Sequence, residues 1–235
     1  MIDKRPFNTL GGANHGWLNA KHHFSFASYY DPARMGWGSI RVWNDDEIAA
    51  QSGFPPHPHD NMEIITYVRE GAITHEDSLG NKGRTEAGDV QVMSAGTGIR
   101  HAEYNVEPVK TTLFQIWVIP SERGHEPSWG ARPFPRGDRA GRFVPLASGF
   151  DGDADALKIH APARLLGATL LKDQSETYTP VETGAARHLY LVVAKGKVSV
   201  NGVELDERDG AAIKDEATLD IRALEDAEVV LLDAA

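Results

Sequence analysis

The stretch GFPPHPHDNMEIITYVREG, residues 53–71, sets two histidines one residue apart, His57 and His59, just before an apolar run that ends at Gly71. Glu63 follows four positions after His59. Side chains on an extended strand alternate faces with a period of two. His57 and His59 therefore point the same way if this backbone is extended. Pro56 and Pro58 favour extension, because the residue before a proline is pushed out of the helical region. The same parity turns Glu63 toward the histidine side, provided no bulge intervenes. Two imidazoles are too few to hold a metal ion alone, so the meaning of the stretch depends on what else reaches that face.

The segment AGTGIRHAEYN, residues 95–105, supplies a second pair. His101 and Glu103 repeat the i, i+2 spacing on a separate expected strand, after a glycine turn. Two strands that each offer such a pair to one interior can surround a single ion. Three neutral imidazoles and one carboxylate suit Fe(II), Mn, Ni, Cu or Zn. Ligands gathered on one side leave positions open opposite them, as catalysis requires. Parity alone allows either Glu63 or Glu103 as the carboxylate. A lone H-x-H is more often structural; the second pair is what raises the metal reading above that.

The other histidines carry less. His22 and His23 are adjacent, so they face opposite ways on a strand and read as structural or pocket-lining groups. His75, in THEDS, reads as a hydrogen-bonded residue near the surface. His15, His125 and His160 have no supporting context. His188 stands eight residues before Gly196, as Glu63 stands eight before Gly71. By the same count Glu182 and Gly184 occupy the places of His57 and His59, so no metal is expected in the second half.

The rest of the chain predicts an all-β fold of two tandem β-barrel or jelly-roll domains with few short helices. Short apolar runs bounded by Gly, Pro, Asn and Asp dominate. GSIRVWNDD, MEIITYVREG, DVQVMSAG, HAEYNV and TTLFQIWVIP read as strands, DSLGNKGRT as a hairpin turn, and VSVNGVEL as a hairpin turning at Asn201-Gly202. DALKIHAPARLLGATL reads as mixed. Residues 121–155, rich in Pro, Gly, Arg and Asp, are taken as the connection between two halves with a weak common pattern. The expected division is 1–130, carrying the metal site, and 131–235, without one.

Bulk properties exclude several classes. The 235 residues carry a formal net charge of −10, which disfavours direct nucleic-acid binding. The richest basic stretch, Arg132 to Arg142, reads as a solvated linker. Cysteine is absent, which removes disulfides, a thiolate nucleophile and zinc–thiolate sites. No apolar run reaches the roughly 18–20 residues of a membrane span. The N-terminus lacks the apolar run of a signal peptide, so a cytoplasmic location is expected. No nucleophile elbow, P-loop or dinucleotide fingerprint is present.

HPHDNMEIITYVREG and GDVQVMSAGTGIRHAEYN resemble the two motifs of the cupin superfamily, and more narrowly those of the pirin family. HHFSFASYYDP, RVWNDDEI and LFQIWVIP are also similar to pirin sequences. The resemblance is strongest to bacterial pirin-like proteins assigned as quercetin 2,3-dioxygenases. It implies a bicupin with one divalent transition metal, held in the N-terminal domain by His57, His59, His101 and Glu103. Iron is the first expectation, with Zn, Mn, Ni, Cu and Co as alternatives. General cupins use the glutamate of the first motif, here Glu63; pirins use the one after the last histidine. Glu63 is accordingly expected beside the ligands, holding a histidine N–H. The implied activity opens the central ring of a flavonol such as quercetin with O₂ and releases carbon monoxide, Glu103 or Glu63 taking the hydroxyl proton. The resemblance also implies an alternative, a non-enzymatic metal-dependent regulator that binds a protein partner. One departure stands out: many family members have Arg-Gly or Arg-Asp after H-x-H, and this chain has Asp60-Asn61.

Overall fold

The computed structural model describes residues 1–184 and 186–235. Among these the regular structure is strand, relieved only by three short 3₁₀ turns at Phe7–Thr9, Pro32–Arg34 and Arg136–Arg139. Among the described residues no helix is long and apolar enough to cross a membrane. The segment read as mixed holds the strand Arg164–Leu170 and no helix.

Each half pairs one large sheet with one small sheet. The first large sheet runs Ser128–Arg132, Val90–Ser94, Glu63–Glu70, Thr111–Val118, Ile40–Ile48, Leu18–His22, Gly11–Asn14. The second runs Ile2–Arg5, Gly210–Lys214, His188–Lys195, Ala227–Ala234, Arg164–Leu170, Val144–Ser148, Leu157–Lys158. The small sheets are Ser52–His59, Ile99–Asn105, Ala72–Asp77, Lys82–Glu86, and Ser175–Tyr178, Leu219–Ala223, Val198–Val200, Val203–Leu205. The parallel orders make the two halves repeats of one bicupin plan. Their sheets face each other as open pairs rather than closing into barrels.

The repeat shows at its turns. Gly71 and Gly196 each end a long strand with positive φ, 75° and 77°. A Cβ at Gly196 would meet the Asp226 carbonyl oxygen at 2.2 Å. Only glycine combines that backbone with that approach. Asn201 and Gly202 both take positive φ, 46° and 85°, as a two-residue type I′ hairpin requires.

The two large sheets bury their outer faces on each other. Trp43, Phe114, Phe24 and Tyr67 from the first half pack with Tyr190, Val192, Val230 and Leu232 from the second. Polar ties cross the same junction. Arg208 donates to both oxygens of buried Asp45, at 2.6 and 3.0 Å. Arg139 is 1% exposed and donates to Tyr67 Oη at 2.8 Å and to Glu228 at 3.2 Å. The stretch around Arg132–Arg142, expected to be a solvated linker, therefore sends one guanidinium into the junction. The expected division after residue 130 falls inside the strand Ser128–Arg132, which pairs with Val90–Ser94 in the first half. The opening strand, Ile2–Arg5, pairs with Gly210–Lys214 in the second.

The interiors of the two sheet pairs differ in chemistry. The second is filled mainly by Leu166, Leu189, Leu191, Val193, Leu219, Ile221 and Leu231, and its buried Asp233 is engaged by Tyr178 Oη and Arg187 Nε, both at 2.7 Å. The first has apolar clusters around Ile48, Val68 and Leu113 and around Ile64, Met93 and Ile99. Buried His22, Asn44, Asp46, Thr66, Gln91, His101, Glu103 and Gln115 also belong to that half. A buried polar group is stable only when it is hydrogen-bonded or held for a ligand, so chemistry is expected in the first half.

Candidate metal centre and adjoining cavity

Ser52–His59 is an edge strand, which tolerates Pro55, Pro56 and Pro58 because its outer backbone needs no partner. Its neighbour, Ile99–Asn105, sets His101 opposite His57 and Ile99 opposite His59. Between His101 and Glu103 the register slips: Glu103 lies opposite Phe54, so Pro55 and Pro56 face the single residue Ala102. This bulge turns the parity of the strand. Phe54 then packs near His57, ring centroids 6.2 Å apart, although an odd number of positions, three, separates them along the strand.

Ring nitrogens of His57, His59 and His101 lie within 4.8 Å of one another. His57 Nε2 and His101 Nε2 are 3.0 Å apart. Two nitrogens bound to one ion at about 2.0–2.1 Å stand roughly 3 Å apart, so the spacing fits a shared ion. His57 Nδ1–H donates to the Pro55 carbonyl at 2.8 Å, which leaves Nε2 as the lone-pair nitrogen. Burial, with His57 and His75 adding to it, lowers the pKa of His101 to about 3. Burial likewise lowers that of His59 to about 3, helped by His101 and His57. Both rings are neutral near pH 7, the state a metal ligand needs.

Glu103 joins through His101. Its carboxylate, His101 and His75 form a second trio within 4.8 Å. It is 2% exposed and accepts from Gln91 Nε2 and Gln115 Nε2, both at 2.7 Å, and from Thr66 Oγ1 at 3.3 Å. Burial pushes its pKa up, against the pull of His75, His57 and these hydrogen bonds.

His75, expected near the surface, is fully buried. It stacks on Trp129 at 4.7 Å, and its Nε2–H donates to Asp77 at 2.8 Å. Its Nδ1 then accepts a long 3.4 Å contact from His101 Nδ1–H, which turns the His101 Nε2 lone pair toward His57. For Asp77, burial acts upward, but hydrogen bonds from His75, Asn81 and Leu79 outweigh it and lower the pKa. The i, i+2 spacing of His75 and Asp77 in THED is the one sequence signal for this pair.

Glu63 is placed elsewhere, and the expectation that it holds a ligand histidine is corrected. Asn61 takes φ 45°, and the chain passes there from the small sheet into the large one, so strand parity does not carry from His59 to Glu63. Glu63 is buried, accepts from Ser94 Oγ at 2.6 Å, and lies 3.6 Å from His160 Nδ1. It belongs to neither trio. His160 stacks on His125 at 4.2 Å, so both have a context the sequence did not reveal. Asp60-Asn61 is that turn; Asn tolerates positive φ, and its Oδ1 accepts from the Gly124 amide at 2.8 Å.

The remaining assignments separate cleanly. His22 lines a cavity, while His23 lies in the junction against Tyr190 Oη at 2.8 Å. Glu182 and Gly184 lie outside any strand. The strand answering to Ile99–Asn105 is Leu219–Ala223, whose inward residues are Leu219, Ile221 and Ala223. Beside the trios lies a cavity of about 310 Å³ walled by Trp17, Phe26 and Phe54. Gln115 reaches both, since it lines the cavity and holds Glu103. Asp46 opens onto the same cavity; burial, then Asp45 and Glu103, pushes its pKa well up.

Fold and site together define a cupin of two repeats, with a metal-fitting donor set in the first and a mainly apolar interior in the second. The chain belongs to the pirin family: the Pirin model matches residues 4–118, and the model of the quercetinase C-terminal cupin domain matches residues 146–234. It is 68% identical, over the full length of both chains, to the pirin-like protein of Caulobacter vibrioides. It is 45% identical to the quercetin 2,3-dioxygenase of Escherichia coli K12, over 99% of this chain and 98% of that one. The crystal structure of the E. coli pirin YhhW in complex with nickel(II) superposes with TM-score 0.91 at 45% identity, covering 100% of this chain and 99% of that chain.

Proposed function

We propose that the chain is a metal-dependent dioxygenase that opens the central ring of flavonols such as quercetin with O₂ and releases carbon monoxide. The observation that carries this reading is the pair of trios that share His101, His57–His59–His101 and His75–His101–Glu103, beside an aromatic-walled cavity. The quercetin dioxygenase name of the E. coli relative and the nickel(II) bound by YhhW support it.

In this reading His57 Nε2, His101 Nε2, a ring nitrogen of His59 and a Glu103 oxygen would hold one divalent transition metal. When bound, it would supply Lewis acidity toward the flavonol oxygens and a route for electrons to O₂. The chain supplies binding, orientation and proton handling. Trp17, Phe26 and Phe54 take the flat rings and exclude water. Gln91 and Gln115 hold the Glu103 carboxylate in one orientation. In this reading Glu103 accepts the proton of the 3-hydroxyl. Its placement favours it over Glu63 as that base.

The test is oxygen uptake and carbon monoxide release by protein loaded in turn with Fe(II), Mn(II), Co(II), Ni(II), Cu(II) and Zn(II), with quercetin as substrate. Stoichiometric uptake with at least one metal is expected. Quercetin stable with every metal, at full metal occupancy, overturns the proposal.

A further inference from the structure

The cavity beside the trios is apolar over most of its wall, through Trp17, Leu18, Ala20, Phe26 and Phe54. Its polar groups are mostly engaged. His22 Nδ1–H donates to Asn44 Oδ1 at 2.8 Å. Gln115 donates through Nε2 to Glu103 and accepts through Oε1 from Trp117 Nε1–H at 3.1 Å. Asp46 is the buried carboxyl among them: it is 2% exposed, and its Oδ1 has no hydrogen-bond partner among the described residues. The residues opposite it on the flanking strands are Leu113 and Ala20, which offer no polar side chain.

A buried carboxyl oxygen without a partner costs about 1–3 kcal/mol, and such groups are rare unless something pairs with them. A hydroxyl on a ligand in this cavity would meet that need. We propose that Asp46 is the specificity-determining group of the cavity, hydrogen-bonding an outer-ring hydroxyl of a polyhydroxylated aromatic ligand. The proposal rests on the flavonol reading and deepens it. The trios take the oxygens common to all flavonols, and Asp46 selects ligands that carry a further hydroxyl. A site built around a hydrogen bond discriminates strongly against the analogue lacking it, because its own buried group is left unpaired.

The test compares quercetin with 3-hydroxyflavone on the full-length Ni(II)-loaded protein without oxygen. Both probes carry the 3-hydroxy-4-keto unit; only quercetin has outer-ring hydroxyls. Quenching of tryptophan fluorescence reads binding, since Trp17 lines the cavity. The wild-type protein is expected to prefer quercetin by about tenfold, the scale of one hydrogen bond. Asp46→Leu should bring that ratio near one while leaving 3-hydroxyflavone affinity and nickel stoichiometry unchanged. An unchanged ratio, or equal weakening of both probes, overturns the role of Asp46 and leaves the flavonol reading standing. If neither probe binds the wild-type protein, the flavonol reading fails and this proposal fails with it. Should Asp46→Leu not fold, Asp46→Ala, which adds no bulk, decides by the same ratio.

Discussion

His75 and His101 face each other Nδ1 to Nδ1 at 3.4 Å, and through that contact Asp77 is linked to the histidine cluster. The carboxylate fixes the tautomer of His75, and His75 fixes that of His101. Partners of this kind typically contribute 10–100-fold in metal affinity. His75→Ala is therefore expected to weaken Ni(II) binding by about that factor, with Asp77→Asn weaker in effect. Competition with a chelator measures it. Unchanged affinity in both variants would show that His101 needs no such support.

The three hydrogen bonds on Glu103 lead to a stability prediction. Gln115→Leu removes a 2.7 Å donor from a buried carboxylate. Loss of a hydrogen bond to a charged group costs about 1.5–3 kcal/mol. Urea unfolding of the apo protein at pH 7 should show a drop of that order for Gln115→Leu and a similar one for Gln91→Leu. A change below about 0.5 kcal/mol, the usual range for surface substitutions, would mean that these amides do not hold Glu103.

The depressed histidines set a pH dependence. His59 and His101 have folded pKa values near 3, below the ordinary 6.5. Between those values the unfolded chain binds more protons than the folded one, so stability rises with pH across the window. The contribution is fully present above about pH 6.5 and is lost as pH falls toward 3. So far as these two ligands set it, metal affinity should hold until the pH nears 3, because both rings stay neutral, the state that binds, down to their folded values. Thermal unfolding of the apo protein from pH 7.5 to 4.5 tests the first, and the added stability of the Ni(II)-loaded protein over the same range tests the second. An apo stability flat across that range contradicts the assignment.

At the junction between halves, Arg139 and Glu228 are both buried and 3.2 Å apart. Arg136 reaches the same carboxylate at 2.8 Å. Removing one partner of a buried pair costs about 3–5 kcal/mol, while replacing both with neutral groups costs far less. Arg139→Met should destabilise strongly, at the lower end of that range because Arg136 remains. Arg139→Met with Glu228→Gln should recover much of the loss. A double-mutant cycle by chemical denaturation measures the coupling; additive effects would show that the pair is not coupled.

The sequence alone determined the strand-rich repeat and the two i, i+2 pairs, because both follow from local rules. Alternation over two residues places His57 with His59 and His101 with Glu103, and Asn201-Gly202 specifies its own turn. Parity failed where the chain left one sheet for another. The turn at Asn61 sends Glu63 to Ser94 and His160, and the bulge at Pro55-Pro56 brings Phe54 beside His57. The burial of Arg139 and the link from His101 through His75 to Asp77 also required the fold, since each joins residues by packing between strands. Local spacing fixes which way neighbouring side chains point along one strand. Which strands become neighbours, and which interior is left polar around Asp46, Glu103 and Gln115, is decided by the pairing and stacking of whole sheets.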